Sequence, residues 1–244
     1  DSVYPVSQTG STGMAFEAGA SGKNLTEWQF GMASLNPRWN VSGTYMQVLP
    51  SFISTDQDGN DEKEFLLDYF NELPDLLSMV FLKGYQWPFD VNKIFGGSSV
   101  IDLLVYQETV LKKRRVFLDY RVNPGNLEKD RDLPYASMIP EAKEYLSQAG
   151  ACFGTPIERL KHMNEPAILF YQDHHVDLFK ERLEIAVCAQ HNNGGLSTNH
   201  LWETNLSGLY AIGEVCASHG VTRPGGTALN AGQVGAVRIT IPKK

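Results

Sequence analysis

The residues best suited to chemistry lie in the last quarter of the sequence. Gly213-Glu-Val-Cys-Ala-Ser-His-Gly-Val-Thr-Arg-Pro-Gly-Gly-Thr-Ala-Leu-Asn230 is a long polar loop that leaves an apolar run and enters a helix of small residues. Its glycines let backbone amides approach a planar or anionic ligand, and the dipole of the following helix favours negative charge at the same place. Arg223 supplies a cation stiffened by Pro224-Gly-Gly226. Ala189-Gln-His-Asn-Asn-Gly-Gly-Leu196 ends another apolar run in the same way and sets His191 among amides and glycines, at a strand end where open sheets bind ligands. His191 and Arg223 are the candidate catalytic residues.

A second chemistry is also encoded. Cys188-Ala-Gln-His191 and Cys216-Ala-Ser-His219 are two Cys-x-x-His pairs that could close a tetrahedral zinc site. Against it, Cys188 follows alternating strand residues, and buried free cysteine commonly behaves as a small hydrophobe. His174-His175 on a strand would face opposite sides, so one at most could serve a common metal, and both are expected at the surface. No metal ligands are assigned. The sequence has no Gly-x-Gly-x-x-Gly, P-loop, Gly-x-Ser-x-Gly or His-Glu-x-x-His motif, which removes a pyrophosphate cradle and two hydrolase chemistries.

Several elements must position these residues. Met14 to Ala20 reads as a short small-faced helix ended by Gly19, and Asp61 to Phe70 as an acidic-apolar helix. Val116 to Tyr120 is a strand approached by the basic run Lys112 to Arg115, expected to be solvated. Pro140 to Gln148 is the next helix. Glu184 to Ala189 and Gly208 to Gly213 read as buried strands of a parallel sheet, and Thr227 to Ile239 as a helix whose Ala and Gly admit something large close to its start.

The whole chain, 244 residues with 42% hydrophobic and 20% charged side chains, is of ordinary globular composition. With 21 basic and 28 acidic residues its net charge of -7 argues against nucleic acid, and no apolar run is long enough for a transmembrane span. Three cysteines are too few for a disulfide scaffold. A cytoplasmic setting is expected, any targeting signal lying upstream.

Gln190 to Leu196, Gly208-Leu-Tyr-Ala-Ile-Gly-Glu-Val215 and Gly220-Val-Thr-Arg-Pro-Gly-Gly-Thr-Ala-Leu229 together resemble the carboxyl-terminal signature of the fumarate reductase and succinate dehydrogenase flavoproteins. Thr9-Gly-Ser-Thr-Gly-Met-Ala15, Ala18-Gly-Ala20 and Glu27-Trp-Gln-Phe30 resemble the segment by which that family returns from its flavin domain to its capping domain. The resemblance implies an α/β fold with an α+β insertion: a partial, Rossmann-like FAD-binding domain (1–30 and 184–244) interrupted by a capping domain (31–183). It implies FAD as cofactor, with Glu214 reaching the sugar or ribityl part. Ala228 and Leu229 would offer amides to the flavin's pyrimidine edge, and Gly194 and Gly195 would line the same cleft. The ADP-binding amino-terminal part is expected to be missing from this chain. Taken alone, it should then be inactive and bind FAD weakly or not at all, with a small organic substrate and an unknown electron donor as partners of the whole.

The family's substrate clamp departs here. A dicarboxylate-binding histidine should follow Trp28-Gln29-Phe30, where Gly31 stands, and the reductase's acid arginine should fall in Ser98 to Asp102, which holds none. His191 and Arg223 match the remaining two. The resemblance therefore implies hydride transfer to an acceptor other than fumarate, such as a monocarboxylate or enone. Arg38, Arg114, Arg115 and Arg121 remain as replacement cations, and Tyr45 or Tyr120 as replacement acids. The alternative is a non-catalytic binding or zinc module derived from a flavoprotein.

Overall fold

The computed structural model describes residues 10–125, 133–220 and 227–240. The chain mixes helix and sheet in two compact units, one formed by the residues up to Phe30 with those from Ala189 onward, the other by Gly31–Cys188.

A four-stranded sheet in the order β2-β5-β4-β3, with β2 Trp28–Ser34, β3 Ser51–Thr55, β4 Arg115–Asp119 and β5 Leu183–Asn192, lies mostly in the larger unit, the first residues of β2 and the last of β5 counting with the smaller one. Pairing of β3 with β4 and of β4 with β5 is antiparallel, Phe52 opposite Leu118 and Val116 opposite Ile185. The parallel sheet expected around residues 184–189 is thus overturned. Its second expected strand, Gly208 to Gly213, is a loop that makes one antiparallel bridge, Tyr210 to Glu203. A short apolar run between glycines suits a buried loop as well as a strand, and periodicity does not separate them. Here Gly208 and Gly213 both take positive φ (82° and 79°), which ends extended structure on either side.

Helices cover this sheet. α3 (Leu73–Lys83) has Pro74 in its first turn, where a missing N–H costs nothing, and buries Leu76, Leu77, Val80 and Phe81. α4 is Ser99–Tyr106; α5 occupies Pro140–Gln148, as its sequence predicts. α6 (Pro156–Asp173) starts in a capping box, the Thr155 N–H donating to Glu158 Oε2 at 2.7 Å. One core joins Phe52, Val116, Leu118, Leu160 and Ile185 to the helices.

Two further readings change. Asp61 to Phe70 holds only one 3-10 turn, Phe65–Asp68, because Lys63 bridges to Ser54 on the sheet edge and Phe65 and Leu66 are buried in succession. Lys112 to Arg115 is solvated only in part: Lys112 and Lys113 are exposed, while Arg114 and Arg115 are half-buried and paired. Lys112 and Arg114 meet the buried Glu108, Arg114 also meets Asp61, and Arg115 meets Glu184. His174 and His175 lie at the end of α6 rather than on a strand, His174 Nδ1 lying 2.7 Å from the Phe170 carbonyl oxygen.

The smaller unit contains α1 (Ser11–Glu17), a two-stranded antiparallel pair of β1 (Gly22–Lys23) with β6 (Gly195–Leu196), and α7 (Thr227–Thr240). Its small core joins Ala20, Leu196, Ala211 and Cys216. No helix among the described residues is long and apolar enough to cross a membrane.

Candidate functional site

In the smaller unit the two polar segments singled out in the sequence come together. His191 lies near the end of β5; Glu214 lies on the 3-10 turn Gly213–Cys216. Their side chains meet, His191 Nδ1 lying 3.3 Å from Glu214 Oε2, with the imidazole 9% and the carboxylate 36% exposed.

Glycine enforces this approach. A Cβ on Gly195 would overlap the Val215 carbonyl and come within 3.3 Å of the Ala217 nitrogen, and one on Gly194 would overlap the Asn24 carbonyl. The backbone after His191 therefore presses directly on the turn that carries Glu214. These two glycines are required by packing against the chain's own backbone, whatever else they touch. The same turn is backed by α7: a Cβ on Gly213 would lie 3.6 Å from Gly232 Cα, and one on Gly235 would lie 2.9 Å from Trp202 Nε1. The small residues of α7 thus admit the Trp202 ring, the Ile212 side chain and the Gly213 backbone.

Ala228 and Leu229 fall in the first turn of α7, whose amides have no acceptor within the helix, and Leu229 is 80% exposed. Arg223 lies outside the described residues.

The zinc alternative finds no support in these positions. Cys216 Sγ donates to the Gly213 carbonyl at 2.9 Å, and burial pushes the Cys188 thiol above its usual range. Among the described residues no three His, Cys, Asp or Glu side chains gather to hold a metal.

The larger unit explains the departures from the clamp. Gly31 is buried beneath Trp87: a Cβ there would lie 2.8 Å from Trp87 Cε2 and 2.9 Å from Cζ2, and the ring is anchored by Trp87 Nε1–H donating to the Met32 carbonyl at 3.1 Å. The room a histidine would need is taken. In the window from Ser98 to Asp102, Ser98 donates to Gln86 Oε1 at 3.1 Å, and Asp102 pairs with Lys83.

That buried ion pair escaped the sequence reading. Lys83 and Asp102 are 0% and 2% exposed, and burial pushes Lys83 down and Asp102 up to about 6. The available signal was spacing, since Lys83 follows Leu76 and Val80 at helical intervals and so falls on the core face.

The replacement acids are excluded as well. Tyr45 donates to the Ala167 carbonyl at 3.0 Å and Tyr120 to the Tyr45 carbonyl at 3.2 Å, and burial pushes Tyr45 up to about 12 and Tyr120 well above its usual value. Both are core residues. Arg114 and Arg115 are held by carboxylates as described, and Arg121 by Asp119 at 2.7 Å; Arg38 is exposed.

Parts of the chain are similar to known proteins. A family described as "FAD binding domain" matches residues 122–229. One subunit of the fumarate reductase (CoM/CoB) of Methanothermobacter marburgensis is 39% identical over 80 residues, 32% of this chain and 15% of that protein. An uncharacterized FAD-dependent oxidoreductase of Methanocaldococcus jannaschii is 45% identical over 60 residues, 24% of this chain and 11% of its own. Over these stretches the chain resembles the FAD binding domain family and FAD-dependent oxidoreductases. FAD is that family's cofactor. L-aspartate oxidase 2 of Ralstonia nicotianae is also similar, 30% identical over 89 residues, 29% of this chain and 17% of that protein. In each case the chain matches less than a fifth of the relative's length.

Proposed function

We propose that the protein carrying this chain transfers hydride between FAD and a small organic acceptor other than fumarate. Residues 1–30 and 184–244 would serve as flavin-domain segments and 31–183 as the capping domain. The observation that carries this reading is the meeting of His191 with Glu214, because the resemblance gives one to substrate and the other to the flavin's sugar.

In this reading Glu214 accepts from the sugar hydroxyls, and the backbone amides of Ala228 and Leu229 donate to the pyrimidine edge. The bound flavin supplies the hydride acceptor or donor. His191 and Arg223 hold the substrate, Arg223 taking one carboxylate. A second carboxylate finds no histidine at Gly31, where Trp87 fills the space, and no arginine in the window from Ser98 to Asp102. An unpaired buried carboxylate is strongly disfavoured, so an unsaturated monocarboxylate or enone suits the site better than a dicarboxylate.

Steady-state oxidation of a reduced electron donor by the full-length, flavin-loaded protein tests this. Turnover is expected with a member of a panel of unsaturated monocarboxylates and enones, and not with fumarate at ordinary enzyme rates. Robust fumarate reduction would overturn the substrate reading; stoichiometric zinc without flavin would favour the binding module instead.

A further inference from the structure

The pair of His191 and Glu214 has a consequence for the proton on the imidazole. A carboxylate oxygen 3.3 Å from Nδ1 repels a lone pair on that nitrogen and attracts a proton there. Free imidazole in a neutral histidine prefers its proton on Nε2, so a carboxylate at Nδ1 reverses the ordinary choice. The approach is built into the backbone: Gly195 seats against Val215 and Ala217, and Gly213 against Gly232, which fixes the His191 segment and the Glu214 turn relative to each other. With the imidazole only 9% exposed, water does not compete freely for Nδ1.

We propose that Glu214 is a positioning residue for His191, holding the imidazole proton on Nδ1 and making Nε2 the nitrogen that exchanges its proton. Resting on the flavin reading above, this gives one carboxylate two tasks, since the group assigned to the flavin's sugar also sets the histidine assigned to the substrate. It also bears on the substrate class. Neutral His191 then accepts at Nε2 from a hydroxyl or other donor, and it donates to a carboxylate only after the ring takes a second proton.

The test is two-bond proton–nitrogen NMR on the full chain labelled with 15N-histidine, recorded at a pH where the ring is neutral and assigned by loss of the signal in His191→Gln. Wild type should show the Nδ1–H form. Glu214→Gln, which keeps an acceptor oxygen, should retain it, and Glu214→Leu should move the proton to Nε2. An Nε2–H ring in wild type overturns the proposal, as does an unchanged Nδ1–H ring in Glu214→Leu. Should Glu214→Leu fail to fold, the wild-type spectrum decides alone. The measurement needs neither flavin nor turnover. Loss of the flavin reading would therefore leave an Nδ1–H result standing, and an Nε2–H result would leave the flavin reading intact.

Discussion

Replacing Gly31 by alanine should destabilise the larger unit, and Trp87 should account for nearly all of the loss. The new Cβ would lie 2.8 Å from Trp87 Cε2 and 2.9 Å from Cζ2, whereas carbon atoms rest at about 3.5–4.0 Å. The ring must retreat by roughly 0.7 Å or more, the gap between those separations. That movement stretches the 3.1 Å bond from Trp87 Nε1 to the Met32 carbonyl beyond useful length. Overpacking costs about 1–3 kcal/mol and the lost hydrogen bond about 1 kcal/mol, so Gly31→Ala should cost about 2–4 kcal/mol. In a Trp87→Ala background the clash and the bond are both gone, and the same substitution should cost less than about 1 kcal/mol. Urea denaturation of the four proteins, followed by a probe in the larger unit, gives the coupling as the difference between these costs. Equal loss in both backgrounds would refute the claim that Trp87 occupies the histidine's room. Gly31→His should behave alike, folding acceptably only when Trp87 is also removed.

Two other predictions concern buried charge. Lys83→Met leaves Asp102 buried without its cation and should cost about 3–5 kcal/mol near neutral pH. Burial raises the Asp102 pKa to about 6 in the fold, above its unfolded value, so its neutral form is favoured as pH falls. The loss should therefore shrink between pH 7.5 and pH 5, and urea midpoints showing equal loss at both would contradict this. At Asp119, burial opposes ionisation, but hydrogen bonds from Arg121 and Arg182 outweigh it and hold the carboxyl below its usual range. Its stabilisation is present above the unfolded pKa and is lost as pH falls through the lower folded one. Asp119→Asn should then cost about 2–3 kcal/mol at pH 7 and progressively less as pH falls below the unfolded pKa, and a urea-midpoint difference that does not shrink along that series would count against the ion pairs.

Much of the local structure was legible in the sequence because it depends on neighbours along the chain. Pro140 starts α5, and the small residues from Thr227 onward form α7. His191 stood out from its place among amides and glycines at a strand end and Glu214 from the family resemblance, and the structure brings their side chains together. What stayed hidden depends on contacts between residues far apart in the chain. Two short apolar runs look alike whether they pair in parallel, pair antiparallel or form a buried loop, since alternation within a strand carries no record of its partner. Gly31 read as a lost histidine; that Trp87 fills the space was set by packing across 56 residues, through the bond from Trp87 to Met32 and the ring over Gly31. Lys83 and Asp102 are 19 positions apart, and the helical spacing that puts Lys83 on a core face does not name its partner. Only when α3 and α4 remove both from water does each charge come to require the other, because desolvation and its compensation arise from the assembled core rather than from any segment of the chain.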